Sequence, residues 1–101
     1  LDDGDLEAMR WVQAETPLHA GLVLCKGRAL NGLNMHTAAR DILTKTLRRK
    51  KDRSEDLLLA LRYERALAYE SLGHNKRARS DLEKIYAEDP DFEDVVKRLG
   101  L

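Results

Sequence analysis

Three histidines and one cysteine are the side chains of this 101-residue sequence most suited to metal binding. His19, His36, His74 and Cys25 could all act as ligands, but no second cysteine and no metal-ligand spacing accompany them. We therefore predict no metal site. The histidines are expected at the surface or in turns. Cys25 is expected to be a small buried apolar side chain, with a reactive thiol as the alternative.

The serines and glycines carry no catalytic pattern. No nucleophile-elbow motif surrounds Ser54, Ser71 or Ser80, and the glycines form no phosphate-binding loop. Acidic pairs such as Glu93-Asp94 fit the electrostatics of a helix start. The sequence therefore predicts a protein without enzymatic activity and without a cofactor.

The densest charge feature is a basic cluster, made up of Arg48, Arg49, Lys50, Lys51 and Arg53. One interpretation is a solvated set of cations placed favourably at a helix C-terminus. The other is a docking patch for phosphate or an acidic peptide. The cluster lacks interleaved aromatic residues for base stacking. The sequence also has 18 basic and 18 acidic residues, so nucleic acid is not the expected partner.

The elements that would position these residues are helices. The sequence is 43% hydrophobic and 36% charged, which favours amphipathic helices in one compact domain. No apolar run approaches the roughly 18 residues of a membrane span, so no membrane partner is expected. A single cysteine is typical of a reducing, cytoplasmic setting. The first residue is Leu1, not Met, so we expect a domain of a longer protein.

Apolar periodicity and capping residues predict six helices and no strand. Ser54 is a good N-cap, Gly73 ends the helix that follows, and Asp91 is expected to cap the last helix. Gly32 or Asn34 is expected in the left-handed conformation that closes a helix. The predicted helices lie at about 5–14, 17–32, 35 or 37 to 49, 55–72, 75–88 and 91–100.

Several apolar faces follow from the same periodicity. The helix at about 75–88 should bury one side, consisting of Ala78, Leu82, Ile85 and Tyr86. In the last helix the residues predicted to pack on the preceding hairpin are Phe92, Val96 and Leu99. Glycines inside a helix cost about 1 kcal/mol each relative to alanine. Gly21 and Gly27 therefore indicate close helix–helix contact.

The two central hairpins share one pattern at a spacing of 39 residues. Gly27 corresponds to Ala66, Leu33-Asn34 to Leu72-Gly73, Ala39 to Ala78, Arg40 to Arg79 and Leu43 to Leu82. Small residues match small residues, and turn residues match turn residues. This correspondence predicts an internal repeat.

The second copy, at about 57–91, resembles a tetratricopeptide repeat, a helix-turn-helix unit of about 34 residues. The residues that carry the resemblance are Ala66, Tyr69, Gly73, Ala78 and Pro90. The first copy, at about 20–51, lacks the aromatic residue and the closing proline. The second copy has Arg62 where the family has a bulky residue and Arg65 where it has a leucine. The resemblance implies a single all-α domain over residues 1–101, an antiparallel helix-hairpin array with capping helices at about 5–14 and 91–100.

The resemblance also implies a non-enzymatic protein-interaction module. In this family the first helix of each hairpin lines a groove that binds a peptide or helix. Carried over by alignment, the groove residues are Leu24, Arg28, Asn31, Tyr63, Leu67 and Glu70. A family variant clamps a terminal carboxylate with a lysine and an asparagine where Leu24 and Arg28 stand, so that clamp is not expected here. Anion docking through the basic cluster and self-association as a homodimer are the alternatives.

Overall fold

The structure is a computed structural model that describes residues 17–51 and 53–101. It contains five helices over these residues, and their packing in adjacent pairs confirms the predicted all-α hairpin array. None of the described helices combines the length and apolar character needed to cross a bilayer. The predicted leading helix at about 5–14 lies outside the described residues. The helices are α1 (Pro17–Gly32), α2 (His36–Leu47), α3 (Glu55–Ser71), α4 (Asn75–Glu88) and α5 (Val95–Arg98).

The helix ends follow local chemistry. The bounds predicted for α1 and α4 are confirmed. The Ser54 hydroxyl accepts a hydrogen bond from the Leu57 N–H at 3.1 Å, so the predicted N-cap of α3 is also confirmed. The predicted end of α2 at Arg49 was too late. The Arg49 N–H bonds the Thr46 carbonyl at 3.3 Å, three residues back, in a tighter closing turn that ends α2 at Leu47.

The two inter-helix turns have the same backbone hydrogen bonds, shifted by 39 residues. Met35 N–H bonds the Leu30 carbonyl and His74 N–H bonds the Tyr69 carbonyl, both at 2.8 Å. The residue before each of these donors has a left-handed backbone, with φ of 62° at Asn34 and 79° at Gly73. Asn34, not Gly32, is therefore the residue that closes α1. Four backbone hydrogen bonds of the turns recur at this spacing, which supports the sequence correspondence.

The core lies on both sides of α3. Helix α3 packs against α1, α2 and α4, and it shares buried residues with two apolar clusters. Leu61 and Ala68 join the cluster formed with α1 and α2, whereas Leu59 and Ala66 join the cluster formed with α4 and the C-terminal segment. Because α3 supplies Leu61 and Ala68 to the first cluster, the core of the first hairpin depends on a helix of the second. The other buried members of the two clusters are Ala20, Val23, Ala39, Leu43, Leu47, Leu82, Ile85, Val95 and Leu99.

Close helix contact is confirmed at one of the two interior glycines. A Cβ atom placed on Gly27 would lie 3.0 Å from Leu43 Cδ2, so α1 and α2 approach closely enough that the side chain of Leu43 would have to shift to admit it. At Gly21 the same construction meets no described atom within 4 Å. No described residue therefore makes a close contact at Gly21, and the predicted leading helix lies outside the described residues.

Three predicted burials were wrong. Cys25 is exposed, because α1 buries Ala20 and Val23 and a residue two positions further along lies on the opposite side of a helix. Tyr86 and Val96 are each 39% exposed, since their immediate neighbours in sequence take the buried positions. The burial of Leu82, at 2% exposed, is as predicted.

The last helix is also shorter than predicted. Residues 91–94 form turns, and α5 spans only Val95–Arg98. Glu93 has a positive φ of 45°, which breaks helical continuity before α5. Asp91 is therefore not the cap of this helix. Instead, its N–H donates to the side chain of Asp89 at 3.0 Å.

A buried ion pair explains why α3 has an arginine where the resembling family has leucine. Arg65 Nε and Nη2 donate to the two carboxylate oxygens of Asp81 on α4, at 2.9 and 2.7 Å. Burial alone would lower the pKa of Arg65, but the hydrogen bonds that Arg65 donates to Asp81 outweigh it and raise that pKa. The guanidinium also lies 5.6 Å above the Tyr69 ring. The pair thus joins α3 and α4, the two helices of the second hairpin. The resembling family has an apolar residue at the position of Arg65.

Candidate functional site

The six predicted groove residues come from two neighbouring helices. Leu24, Arg28 and Asn31 lie on α1 and the other three lie on α3, and these two helices pack against each other. Leu24 and Leu67 are half-buried, whereas the Arg28 side chain is 56% exposed. The face formed by α1 and α3, termed the α1–α3 face, therefore combines half-buried apolar groups with a solvent-facing cation.

Buried Glu64 joins the two helices beneath this face. Asn31 Nδ2 donates to both the Glu64 backbone carbonyl and Glu64 Oε2, each at 3.1 Å. Asn31 Oδ1 accepts from His36 Nδ1 at 2.9 Å, because the amide nitrogen is already engaged as a donor. Arg28 Nε lies 3.6 Å from Glu64 Oε1. Asn31 is therefore a structural bridge between the hairpins, and Arg28 is the polar residue of this half whose charge reaches solvent.

The other half of the face is covered by the C-terminal segment. Tyr63 Oη donates to Asp94 Oδ1 at 2.5 Å, and its ring meets Phe92 edge-on with centroids 5.9 Å apart. Arg98 bonds Asp94 Oδ1 at 2.9 Å and Glu70 Oε1 at 2.5 Å. Two of the six predicted groove residues, Tyr63 and Glu70, are thus engaged by the chain itself.

The electrostatics of this covered half are mutually reinforcing. The hydrogen bond from Tyr63 lowers the pKa of Asp94, helped by Arg98 and opposed by burial. Burial, together with the bond to Asp94, raises the pKa of Tyr63. Burial alone would lower the pKa of the Arg98 guanidinium, but its hydrogen bonds to Tyr63 and Asp94 raise that pKa. At neutral pH the contact therefore consists of a neutral phenol, a carboxylate and a cation.

The structure divides the basic cluster in two. Arg48, Arg49, Lys50 and Lys51 are exposed, but Arg53 is only 8% exposed. The Arg53 guanidinium donates through Nη1 to the Thr46 carbonyl, in the last turn of α2. A cation near the C-terminus of a helix interacts favourably with the helix dipole. This agrees with the interpretation of the cluster as cations placed at a helix C-terminus. Arg53 nonetheless departs from that interpretation because it is not solvated.

No described group of three or more His, Cys, Asp or Glu residues could hold a metal ion. The His36 ring is hydrogen-bonded to Asn31, and the centroid of the His74 ring lies 6.1 Å from that of the Tyr69 ring. His74 lies in the turn before α4, as predicted, whereas His36 is the first residue of α2.

Several important polar residues were missed by reasoning from the sequence. Glu64, Asp94 and Arg98 organise the α1–α3 face, yet each reads as an ordinary charge on an amphipathic helix. A signal was available for Arg65, because a charged residue at a position that is apolar in the resembling family calls for a buried partner. No pattern in the sequence indicated that Glu64 would form a hydrogen bond with Asn31, which lies 33 residues away.

Three comparisons with known proteins found no match for the chain. No protein-family model matches the chain, and neither the curated proteins nor the solved structures give a match. The resemblance to tetratricopeptide repeats therefore stays a prediction.

Proposed function

We propose that the protein is a non-enzymatic protein-interaction module that binds a peptide or helix of a partner on the α1–α3 face. The observation that supports this most is the composition of the uncovered half of the face. Leu24 and Leu67 offer apolar surface, and Arg28 offers a cation that is only loosely paired with Glu64. Apolar anchors beside a few polar groups are what groove recognition of a helix or extended peptide requires.

The contact between Tyr63 and the C-terminal segment narrows the proposed binding surface. A partner would meet Leu24, Arg28 and Leu67 first, and it would reach Tyr63 and Glu70 only beside or in place of Arg98. The proposal includes a cytoplasmic setting, which the single cysteine favours.

Selection from a peptide library tests the proposal directly. Peptides selected on the wild-type protein should lose binding to Arg28→Glu/Leu67→Lys, because the double change inverts the charge and removes the apolar anchor. Arg77→Glu, an exposed change on α4, is the charge-matched control and should bind as the wild type does. Thermal unfolding of all three proteins verifies that each is folded. Selected peptides that bind the double variant as well as the wild type would rule out the α1–α3 face.

Self-association is a second candidate, favoured by apolar side chains at the turn between α1 and α2. Leu33 is 69% exposed and Met35 is 51% exposed. Light scattering across protein concentration, for the wild type and for Leu33→Ser/Met35→Ser, tests this candidate. A mass that stays monomeric at all concentrations in both proteins would exclude it.

Anion docking through Arg48–Lys51 is the third candidate, favoured by the exposure of all four side chains. Heparin binding at two salt concentrations tests it, since phosphate-like contacts weaken steeply with salt. Binding that survives Arg48/Arg49/Lys50/Lys51→Ala would exclude this segment.

A further inference from the structure

Arg53 is a buried cation with an unused pair of hydrogen-bond donors. Its Nη1 bonds the Thr46 carbonyl, but Nε and Nη2 have no hydrogen-bond partner among residues 17–51 and 53–101. Burial lowers the pKa of Arg53, as does the charge of Arg49, but an arginine side chain stays charged at any physiological pH. A buried charged donor without an acceptor is costly. Both nitrogens are closed off from solvent, so an acceptor from outside reaches this edge when the Arg53 side chain turns toward it.

The same chain shows which acceptor fits that edge. Arg65 uses the same two nitrogens, Nε and Nη2, to hold both oxygens of the Asp81 carboxylate at 2.9 and 2.7 Å. Two parallel N–H donors match the spacing of two carboxylate oxygens, and this bidentate arrangement is stronger and more specific than a single contact. At Arg53 the donor edge is present but the carboxylate is not supplied by a described residue.

Arg53 lines a cavity of about 470 Å³ together with Lys50, the first half of α3 and the last turns of α4. The other basic residues of the described lining are Lys50, Arg62 and Lys84. Two acidic residues, Glu55 and Glu88, also line it, so the described lining residues have a net charge of +2 (four cations minus two carboxylates). A cavity with this balance attracts an anion.

The cavity also has apolar walls. Leu58, Leu59 and Ala87 line it beside the charged groups. A pocket of a few hundred cubic ångströms with apolar walls and a few converging polar groups is of the size and kind that binds a side chain or a chain end.

We infer that this cavity, the Arg53 cavity, binds a carboxylate of a protein partner, either an acidic side chain or a terminal carboxylate, on the Nε/Nη2 edge of Arg53. Apolar side chains next to the carboxylate would lie against Leu58 and Leu59. The inference goes beyond the proposed function, because none of the six predicted groove residues lines this cavity. Arg28→Glu/Leu67→Lys should therefore leave binding here unchanged, and the two proposals can fail separately.

Three short peptides and the side-chain N–H signal of Arg53 in nitrogen-15 NMR spectra test the inference. The first peptide is acetylated and amidated and has a glutamate between two leucines. The second replaces the glutamate with glutamine, and the third is the glutamine peptide with a free terminal carboxylate. The glutamate or the free-acid peptide should shift the Arg53 Nε–H signal in a saturable way, and the amidated glutamine peptide should not. The two carboxylate peptides distinguish a side-chain source from a terminal one.

Two pairs of variants locate the binding. Arg53→Lys keeps the charge but removes the two-donor edge, so affinity should fall roughly tenfold or more. Lys84→Glu should weaken binding, whereas Lys76→Glu, an exposed change on the same helix outside this cavity, should not. The Lys84 and Lys76 pair decides the matter even if Arg53→Lys unfolds. The titrations are repeated in an Asp52→Asn background, which removes the carboxylate next to Arg53 in the sequence.

Four results would overturn the inference. They are binding of the amidated glutamine peptide as tight as that of the better of the two carboxylate peptides, wild-type affinity in Arg53→Lys, equal effects of Lys84→Glu and Lys76→Glu, and no carboxylate binding in either background. Inorganic phosphate that shifts the Arg53 signal where no carboxylate peptide does would overturn the choice of ligand.

Discussion

Removing the carboxylate from the buried pair between α3 and α4 should destabilise the fold strongly. Asp81→Ala leaves the Arg65 guanidinium in place without its partner. The side chains of Arg65 and Asp81 are 15% and 3% exposed, so neither is well hydrated in the folded state. We expect a large loss of stability because a buried charge without its partner retains its desolvation cost and loses its compensation.

The magnitude follows from the geometry. Asp81 accepts two charge-assisted hydrogen bonds, at 2.9 and 2.7 Å. Removing one member of such a buried pair costs about 3–5 kcal/mol. Arg65 is partly accessible and can regain some water, so the lower end of that range, about 3 kcal/mol, is expected. For a domain of this size that loss corresponds to a fall in melting temperature of about 12–24 °C.

Urea unfolding followed by circular dichroism measures the effect. Arg65→Met/Asp81→Leu should recover most of the loss, since apolar residues that replace both partners leave no charge buried. Glu83→Ala is the matched control on the same helix. Glu83 pairs with Arg79 at 4.0 Å, and both side chains are mostly exposed, so its loss should cost less than about 0.5 kcal/mol. A cost of less than about 1 kcal/mol for Asp81→Ala, or a double variant no more stable than it, would refute the reasoning.

Three further changes test other parts of the fold by the same unfolding measurement. Gly27→Ala should be neutral or destabilise by up to about 2 kcal/mol, because the new methyl group meets the buried side chain of Leu43. Gly21→Ala should stabilise by about 0.5–1 kcal/mol, because alanine has the higher helix propensity. Equal effects of the two changes would contradict the packing described at Gly27. Ser54→Ala should cost about 1 kcal/mol through the lost cap, and an unchanged midpoint would contradict it. The hydrogen bond and charge of Glu88 raise the pKa of Glu55 in the folded state, so the contribution of this pair to stability falls as pH rises above the unfolded value of 4.5. Glu88→Gln should therefore stabilise the protein at pH 7 but not at pH 3, and a gain of the same size at both pH values would contradict this origin.

The architecture was predictable because its signals are local. Ser54, Gly73 and the 39-residue correspondence fix helix ends and turns through bonds between residues that are close in sequence. The prediction failed at the last helix, where the backbone of Glu93 adopts a conformation that no residue type at that position announces.

The candidate sites were less predictable because they depend on contacts between hairpins. That Tyr63 would meet Asp94 could not be read from either residue, since the contact depends on the path of residues 89–94. The basic cluster was visible as a run of charge, but a run of charge does not show which member folds inward. Arg53 is buried because its guanidinium reaches the Thr46 carbonyl at the end of α2.

The position of α3 between two apolar clusters has a consequence for how the chain folds. Every pair of helices in extensive contact is adjacent or next but one along the described chain, so the native contacts span short loops. Such a low contact order favours rapid folding. Because α3 contributes to the packing of both hairpins, neither is expected to be stable alone, and the array should unfold as one cooperative unit instead of one hairpin at a time. Even α5, a single short turn at the edge, belongs to this unit, because Val95 is fully buried in the second apolar cluster.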